Sequence, residues 1–331
     1  MQKSGIPTDP HSYLRAQTRW HPLEYLFWLA TLLPFVLFPN YLSLASQIAI
    51  TALFALSLDL ILGYAGIVSL GHAAFFGIGA YTAGIISKYG WGEPISGLFI
   101  AAFVAGTVGF ATSFIVARFK HLALIMITLG MGFLVLEAAN AAHWLTGGAD
   151  GLQGINIWKL FGVFEFDLWG HTAYIYSLAV LFVIFLAMRR LTNSPFGLAL
   201  RGIRENSVRM SAIGASNHAH IRKVYTMSAA IAGIAGALLA QTTSTVSLGV
   251  LDFHRSADVL VMLVLGGAGM LYGGLLGAVI FMVARDQFSG INPQYWYFWI
   301  GLLLVVVVML LPNGILGGLN RLYRIIRERR K

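Results

Sequence analysis

The 331-residue chain contains no cysteine, which excludes disulfide bonds, thiolate nucleophiles and metal sites built on cysteine. It is also poor in charge, because Asp, Glu, Lys and Arg make up 11% of its residues, against about a quarter in soluble domains. No HExxH, GxSxG or Walker sequence occurs. These absences argue against an enzyme, and we predict a chain with no catalytic residues and no bound metal or cofactor.

Long apolar stretches dominate what is present. Hydrophobic residues make up 58% of the chain, and apolar runs close to the ~20 residues that cross a bilayer recur along it. We predict an all-α, polytopic integral membrane protein with about eight full transmembrane helices and one broken or re-entrant pair. The predicted full spans lie near residues 23–39, 41–62, 66–87, 95–117, 121–145, 172–190, 224–245 and 294–312.

Positive charge is in excess, with 22 Lys and Arg against 13 Asp and Glu, and it is clustered between spans and at both ends. Because cytoplasmic loops are rich in Lys and Arg, these clusters predict the topology. The prediction is a membrane domain at 23–312, cytoplasmic segments at 1–22 and 191–222, a basic cytoplasmic tail at 313–331 and a periplasmic loop at 146–171. The arginines lie at membrane edges, so the expected contact is membrane lipid, with no nucleic acid.

The longest basic cytoplasmic stretch contains signals for a helix between Ser194 and Gly214. Ser194 and Pro195 are typical of a helix start, and glycine is typical of a helix end. An apolar stripe runs along one face, formed by Phe196, Leu200, Ile203, Ser207 and Met210, and the charged residues Arg201, Arg204, Glu205 and Arg209 point elsewhere. Two interpretations stay open: a helix that lies on anionic lipid, or one that docks a soluble motor subunit.

Two glycine-rich stretches resemble each other. Leu62–Gly66 with Gly71 has the same pattern as Leu265–Gly269 with Gly274. In each copy a span is predicted to reach the cytoplasmic side, break and return, so residues 256–288 form two arms that meet near Leu265–Gly274. Chance recurrence of small residues is the alternative, whereas a duplicated architecture with broken helices is common in transporters.

Polar residues inside the spans are few, and each is costly unless it is paired or faces water. Asp258 can pair with Arg255, which would be a structural role. A structural role is also favoured for the adjacent Arg285 and Asp286, whereas for Asp59 and Glu137 a position at a helix break or along a polar path is an equal alternative. The predicted helix-break or substrate-path residues are Asp59, Gly63, Gly66, His72, Glu137, Gly266 and Gly269.

Six motifs together resemble one known family. They read LDLILGYAGIVSLGHAAFFGIGAYTAG, LTGGADGLQGI, SPFGLALRGIRE, AGIAGALLA, SADVLVMLVLGGAGMLYGGLLGA and LPNGILG, in order from about residue 58 to 317. The chain resembles permease subunits of branched-chain amino-acid ABC importers, and the TGGADG loop favours the longer, M-type subunit. This resemblance implies a bacterial inner-membrane location, a sister permease, two cytoplasmic ATPase subunits that use ATP, and a periplasmic substrate-binding protein.

The resemblance also implies that Ser194–Gly214 contains the ATPase-coupling helix. Its expected coupling residues are Phe196, Leu200, Arg201, Ile203, Arg204, Glu205, Arg209, Met210 and Gly214, the apolar ones as contacts and the charged ones fixing the register. The expected cargo is a small polar solute, with branched-chain amino acids preferred to urea, amides or aromatic acids. Two alternatives remain: an ion-driven secondary transporter or channel that uses Asp59, Glu137 and Asp258, and a non-transporting scaffold.

Overall fold

The computed structural model describes residues 22–167, 169–311 and 313–319. Within these ranges the regular structure is helical, with two isolated β-bridges and no strand. The predicted all-α class is therefore confirmed. Residues 1–21 of the predicted N-terminal segment and residues 320–331 of the predicted tail lie outside the described part.

The helices of the described residues are numbered in chain order. They are α1 Pro22–Ala30, α2 Leu33–Leu37, α3 Leu42–Asp59, α4 Ala73–Lys88, α5 Pro94–Val116, α6 His121–Ala141, α7 His143–Thr146, α8 His171–Thr192, α9 Pro195–Glu205, α10 Ser207–Ala212, α11 Asn217–Thr243, α12 Phe253–Gly266, α13 Leu271–Ile291 and α14 Trp296–Leu310. A short 3-10 turn, Pro39–Tyr41, precedes α3, and a π-helical turn, Leu60–Tyr64, follows it.

Seven helical stretches of the described residues are long and apolar enough to cross a membrane: α3 with its flanking turns, α5, α6, α8, α11, α13, and the stretch Trp296–Leu319 that begins with α14. Two of the eight predicted spans differ from expectation. The span at 23–39 is divided into α1 and α2, because Pro34 has no N–H to donate and its ring crowds the carbonyl of Ala30. The span at 66–87 becomes helical only at Ala73.

The two predicted arms within 256–288 are confirmed. They are α12, with 14 residues, and α13, with 21 residues, and they meet between Gly266 and Leu271. Helix α12 is about 21 Å long at 1.5 Å per residue, so it cannot cross a ~30 Å hydrocarbon core by itself. The break therefore lies within the bundle, where the protein can satisfy its backbone.

Helix α3 is the centre of the bundle. All its residues from Ala49 to Asp59 are buried, as expected for a helix surrounded by protein on every side. Helices α5 and α11 approach each other through small residues. A Cβ atom placed on Gly109 would lie 2.3 Å from Cβ of Ala229, so a larger side chain there would push the two helices apart.

Candidate functional site

The first helix break follows Asp59. The helix widens into the turn Leu60–Tyr64, Gly66 adopts a positive φ of 72°, and the chain then runs without helix as far as His72. Side chains of other helices take over the hydrogen bonds of this stretch. Leu70 N–H donates to Thr128 Oγ1 at 3.3 Å, and Ala73 N–H donates to Ser256 Oγ at 2.8 Å. This is non-helical backbone held inside a bundle, which a membrane protein tolerates only where protein or water satisfies it.

The second break lies between α12 and α13, and it contacts the first. Gly267 and Gly269 both have positive φ, at 114° and 83°, a conformation that glycine adopts without strain. A Cβ atom placed on Gly63 would lie 2.4 Å from the backbone N of Gly269, so the two breaks touch backbone to backbone. The two similar glycine stretches of the sequence are thus brought together in space.

Asp59 joins the two breaks. Its side chain is fully buried, and its Oδ1 accepts a hydrogen bond from the N–H of Gly269 at 2.7 Å. Within the described residues, Oδ2 has no hydrogen-bond partner. The side chain of Asp59 is therefore held at the contact between the two breaks.

Arg204 connects α9 to the same place. Its Nη1 donates a hydrogen bond to the carbonyl of Gly63 and lies 2.9 Å from the position that a Cβ atom on Gly269 would take. One turn earlier on the helix, the guanidinium of Arg201 lies 5.2 Å from the ring centre of Tyr64, in the first break. Two predicted coupling arginines thus contact the breaks of this chain directly. Arg204, Asp59, Gly63 and Gly269 are called the break junction below.

The predicted single helix from Ser194 to Gly214 is wrong, because the structure has two helices. Ser194 Oγ caps α9 as predicted, accepting from Gly197 N–H at 3.4 Å. Asn206 then leaves the helical conformation, and its Oδ1 accepts from Arg209 N–H at 2.9 Å, which starts α10. Gly214 has a positive φ of 88° just after α10, so it ends the second helix.

The apolar stripe of this segment faces its own bundle. Leu200 is 0% exposed and Ile203 is 6% exposed, so neither is free to contact a soluble partner in this structure. Phe196 stacks on His220 with ring centres 5.6 Å apart. Met210 packs against Gly202, where a Cβ atom, if present, would lie 2.6 Å from the Met210 Sδ. The predicted outward orientation of Leu200 and Ile203 is therefore corrected: the chain itself buries both, whereas Met210 packs α10 against α9 within the segment.

Three other apolar side chains of the segment point outward. Leu198, Val208 and Ile213 are exposed, and Val208 and Ile213 are 76% and 72% exposed. Glu205 and Arg209 are exposed beside them. We call Leu198, Val208 and Ile213 the exposed apolar face of the segment. It is the part of Ser194–Gly214 that another molecule can reach.

His72 is fully buried at the end of the first break. Its Nε2 lies 2.9 Å from Ser57 Oγ on α3 and 3.4 Å from Ser228 Oγ on α11, and its ring stacks on Phe54 at 5.5 Å. These contacts fix the start of α4 against two other helices. His72 therefore lies at the end of the first helix break, and its ring is enclosed by side chains of the bundle.

The family described as the permease component of branched-chain amino acid transport systems matches residues 40–308. The chain belongs to this family. It is 30% identical over 314 residues to the high-affinity branched-chain amino acid transport system permease protein LivM of Escherichia coli K12, covering 87% of this chain and 72% of the relative. It is 25% identical over 291 residues to LivH, a permease protein of the same description from the same strain, covering 80% and 91%.

A relative that is named for a different cargo is also similar to this permease. The fructose import permease protein FrcC of Rhizobium meliloti is 25% identical over 274 residues, covering 79% of this chain and 74% of the relative. No solved structure matches the chain. The comparisons thus identify a membrane transport permease and confirm the resemblance to M-type subunits seen in the motifs.

Glu137 of the permease is not part of the break junction. It is exposed on α6, where Asn140 Nδ2 donates to its Oε1 at 3.4 Å. Helix α6 is peripheral, with 11% of its apolar stretch buried by the rest of the described chain. A carboxylate on such a face is costly in lipid. Its exposure therefore suits contact with another subunit or with water better than contact with acyl chains.

One long-range ion pair of the permease could not be predicted from the sequence. Arg189 of α8 forms an ion pair with Glu24 of α1, and the two side chains are 10% and 19% exposed. The ion pair holds α1 against the bundle. Its two residues lie 165 positions apart in the sequence. Among the described residues, no three His, Cys, Asp or Glu form a group that could hold a metal ion.

Proposed function

We propose that this permease is the membrane subunit through which an ATP-driven importer moves branched-chain amino acids from the periplasm to the cytoplasm. The observation that carries the proposal is the break junction. Arg204 lies on a segment with an outward-facing surface, and it is bonded to Gly63, which packs on Gly269. A shift of α9 would therefore displace both helix breaks together, and broken helices are where transporters change access.

The energy would come from two cytoplasmic ATPase subunits. This chain has no Walker sequence, so nucleotide would be bound by those partners. The exposed apolar face of the segment offers them a contact, since Val208 and Ile213 project from the chain. ATP binding can drive the permease only if the ATPase subunits contact this segment differently in two states.

A sister permease would complete the path. The chain is similar to both LivM and LivH, two permease proteins named for one transport system of one strain. A pair of related subunits fits the little-buried apolar surfaces of α6 and α14, with 11% and 12% of their apolar stretches buried. A periplasmic binding protein would deliver the cargo, and a bacterial inner membrane is the corresponding location.

The cargo is proposed from the names of the relatives and is open to direct measurement. Two LivM relatives, 30% and 29% identical to this chain, carry branched-chain amino acid transport in their names, whereas FrcC is named for fructose. The ion-driven alternative is less favoured. It needs carboxylates along a path, but Asp59 is buried and bonded to Gly269, and Glu137 is exposed on a peripheral helix.

The coupling surface is tested by Val208→Asp. Val208 is 76% exposed, so the change alters the surface and leaves the packing of the bundle intact. If an ATPase subunit covers Val208, the variant buries an unpaired charge on assembly, which costs several kcal/mol. We expect copurification of the ATPase subunits to fall about tenfold or more.

The matched control is Val163→Asp, the same exchange at a 72% exposed valine of the predicted outer loop. It should copurify the ATPase subunits like the parent. Parental copurification and parental substrate-stimulated ATP hydrolysis in Val208→Asp would mean that the segment lies on lipid and that the coupling assignment is wrong.

A further inference from the structure

A cavity of about 490 Å³ opens beside the loop that the charge pattern predicts to be periplasmic. One wall is formed by the end of the TGGADG loop and the two residues after it, Asp150 to Gln153, and the neighbouring wall is the stretch from Thr243 to Val250. Two backbone hydrogen bonds join the walls, from Leu152 N to Val246 O at 2.7 Å and from Val246 N to Leu152 O at 3.0 Å. The volume lies within the range of about 300–1,000 Å³ that is usual for small-molecule sites.

Glycine makes this closure possible. Gly151 has a positive φ of 74°, and a Cβ atom there would lie 2.8 Å from the carbonyl oxygen of Val246. A larger residue would therefore hold the two walls apart. The loop motif that resembles the family thus has a structural purpose here: it forms one wall of a cavity.

The cavity carries one charge of each sign. Asp150 lines it from the loop, and Arg255 lines it from the first turn of α12. Leu239 and the edge of Val250 add an apolar surface, and Thr243, Thr245 and Ser247 add hydroxyl groups. A carboxylate, a guanidinium and an aliphatic wall in one cavity are complementary to the two ends and the side chain of an aliphatic α-amino acid.

Arg255 is available for a ligand. Its local partner was expected to be Asp258, but no ion pair within 4 Å joins them in the described part of the chain. Its ring contact is Phe76, with the guanidinium carbon 5.3 Å from the ring centre, and Asp258 and Arg285 interact with it electrostatically without a direct ion pair. Among the described residues, the guanidinium donates no hydrogen bond to a carboxylate or carbonyl. An arginine fork of this kind can bind a carboxylate through two parallel hydrogen bonds.

Asp252 does not compete for that role. It caps α12, accepting from His254 N–H at 3.1 Å. The backbone and ring hydrogen bonds of His254 lower the pKa of Asp252, so the carboxylate is held by the helix start. Asp150, in contrast, is exposed at the cavity and is free to meet an ammonium group.

We propose that this cavity is an entry site for zwitterionic aliphatic amino acids, with Arg255 binding the α-carboxylate and Asp150 the α-ammonium group. The inference rests on the proposed function, since it places that cargo at a defined point of this chain. The site accepts an amino acid on the outer side before it reaches the break junction. Its affinity is expected to be weak, because a transport site must also release its cargo.

The test measures leucine binding by saturation-transfer-difference NMR on the assembled complex in nanodiscs, without the binding protein. The competitors are leucinamide, which lacks the carboxylate, and 4-methylpentanoate, which lacks the ammonium group. Parent complex should bind leucine about tenfold or more tightly than either analogue, because each analogue leaves one charged cavity group without its partner.

Two variants test the roles of Arg255 and Asp150 one at a time. Arg255→Gln should weaken leucine binding about tenfold or more and remove the preference for leucine over leucinamide. Asp150→Asn should remove the preference for leucine over 4-methylpentanoate, and its exposed position makes it safe for folding. The control is Lys159→Gln, which removes an exposed charge of the same outer loop and should bind leucine like the parent.

Uptake by proteoliposomes with the parent complex, measured in parallel, distinguishes failure of the entry site from failure of the proposed function. If the parent takes up leucine with ATP but shows no saturable leucine binding, the entry site is wrong and the proposed function stands. The same conclusion follows if both variants bind leucine with the affinity and selectivity of the parent. Absence of amino-acid uptake by the parent overturns the proposed function and, with it, the ligand assigned to the cavity.

Discussion

Arg204 is the residue that links α9 to the two helix breaks. Its side chain leaves α9 and bonds to the carbonyl of Gly63, which a π-helical turn has released from regular helix geometry. The contact is charge-assisted, and hydrogen bonds of this kind contribute about 1.5–3 kcal/mol. The same bond would be lost with glutamine, whose shorter neutral side chain cannot reproduce the guanidinium fork.

We therefore expect Arg204→Gln to uncouple the complex. Stimulation of ATP hydrolysis by loaded binding protein should fall about tenfold or more, because motion of α9 no longer reaches the breaks. The measurement is hydrolysis by reconstituted complex with and without the loaded binding protein. Arg190→Gln, at an exposed arginine three residues before the turn into α9, is the control and should be stimulated normally. Normal stimulation of Arg204→Gln would remove the break junction from the mechanism.

Gly63 allows the two breaks to touch. A methyl group there would lie 2.0 Å from Asp59 Oδ1 and 2.4 Å from Gly269 N, so backbone or carboxylate must move. Gly63→Ala should destabilise the complex by about 1–3 kcal/mol, the usual cost of overpacking. The readout is thermal unfolding in detergent. Gly130→Ala meets no atom within 4 Å and should leave the unfolding temperature unchanged or raise it, and an equal effect of both changes would contradict the close contact.

At the scale of elements, the division of Ser194–Gly214 into α9 and α10 decides which surface is offered to a partner. The turn at Asn206 changes the direction of the chain, so Leu200 and Ile203 face the bundle while Val208 and Ile213 face outward. One continuous helix would have placed the stripe on one side. The cap at Asn206 therefore determines which apolar side chains of the segment are exposed.

Removing that cap should loosen α10 alone. Asn206→Ala deletes the acceptor of the Arg209 N–H and should cost about 1 kcal/mol. Hydrogen exchange of residues 207–212 should become about fivefold faster, with α9 unchanged. Asn206→Asp retains an oxygen at the capping position and should restore protection. Equal exchange in Asn206→Ala and the parent would mean that the cap does not hold α10.

Local features of these elements were readable from the sequence, and long-range ones were not. Ser194 as a helix start, Gly214 as a helix end and the similar glycine stretches all depend on neighbouring residues, and the structure has each of them. The helix end at Asn206 is not predicted by the sequence pattern, because the apolar spacing of the stripe continues through this residue. Which way Leu200 points depends on α8 and α11. The bonds of Arg204 to Gly63 and Gly269 to Asp59 join residues 141 and 210 positions apart, which no local pattern can pair.

At the scale of the whole molecule, the chain supplies a bundle with two touching breaks, a segment bonded to them between α8 and α11, and a cavity beside the loop at 146–171. This order predicts opposite sides for the segment and the cavity loops. The chain has no cysteine, so single cysteines can report their side without background. Impermeant thiol reagent on intact spheroplasts should label Val163→Cys, and it should label Val208→Cys only after permeabilisation. The reverse pattern would invert the topology and exclude the coupling role of the segment.

The central claim is that this permease imports branched-chain amino acids at the expense of ATP. The direct measurement is uptake of radiolabelled leucine into proteoliposomes that contain this chain, its sister permease and the ATPase subunits, with loaded binding protein outside. We predict that uptake requires ATP inside, persists when ionophores collapse all ion gradients, and is competed by isoleucine and valine but not by fructose or urea. Leucine uptake that proceeds without ATP and stops when an ion gradient is collapsed would contradict the account.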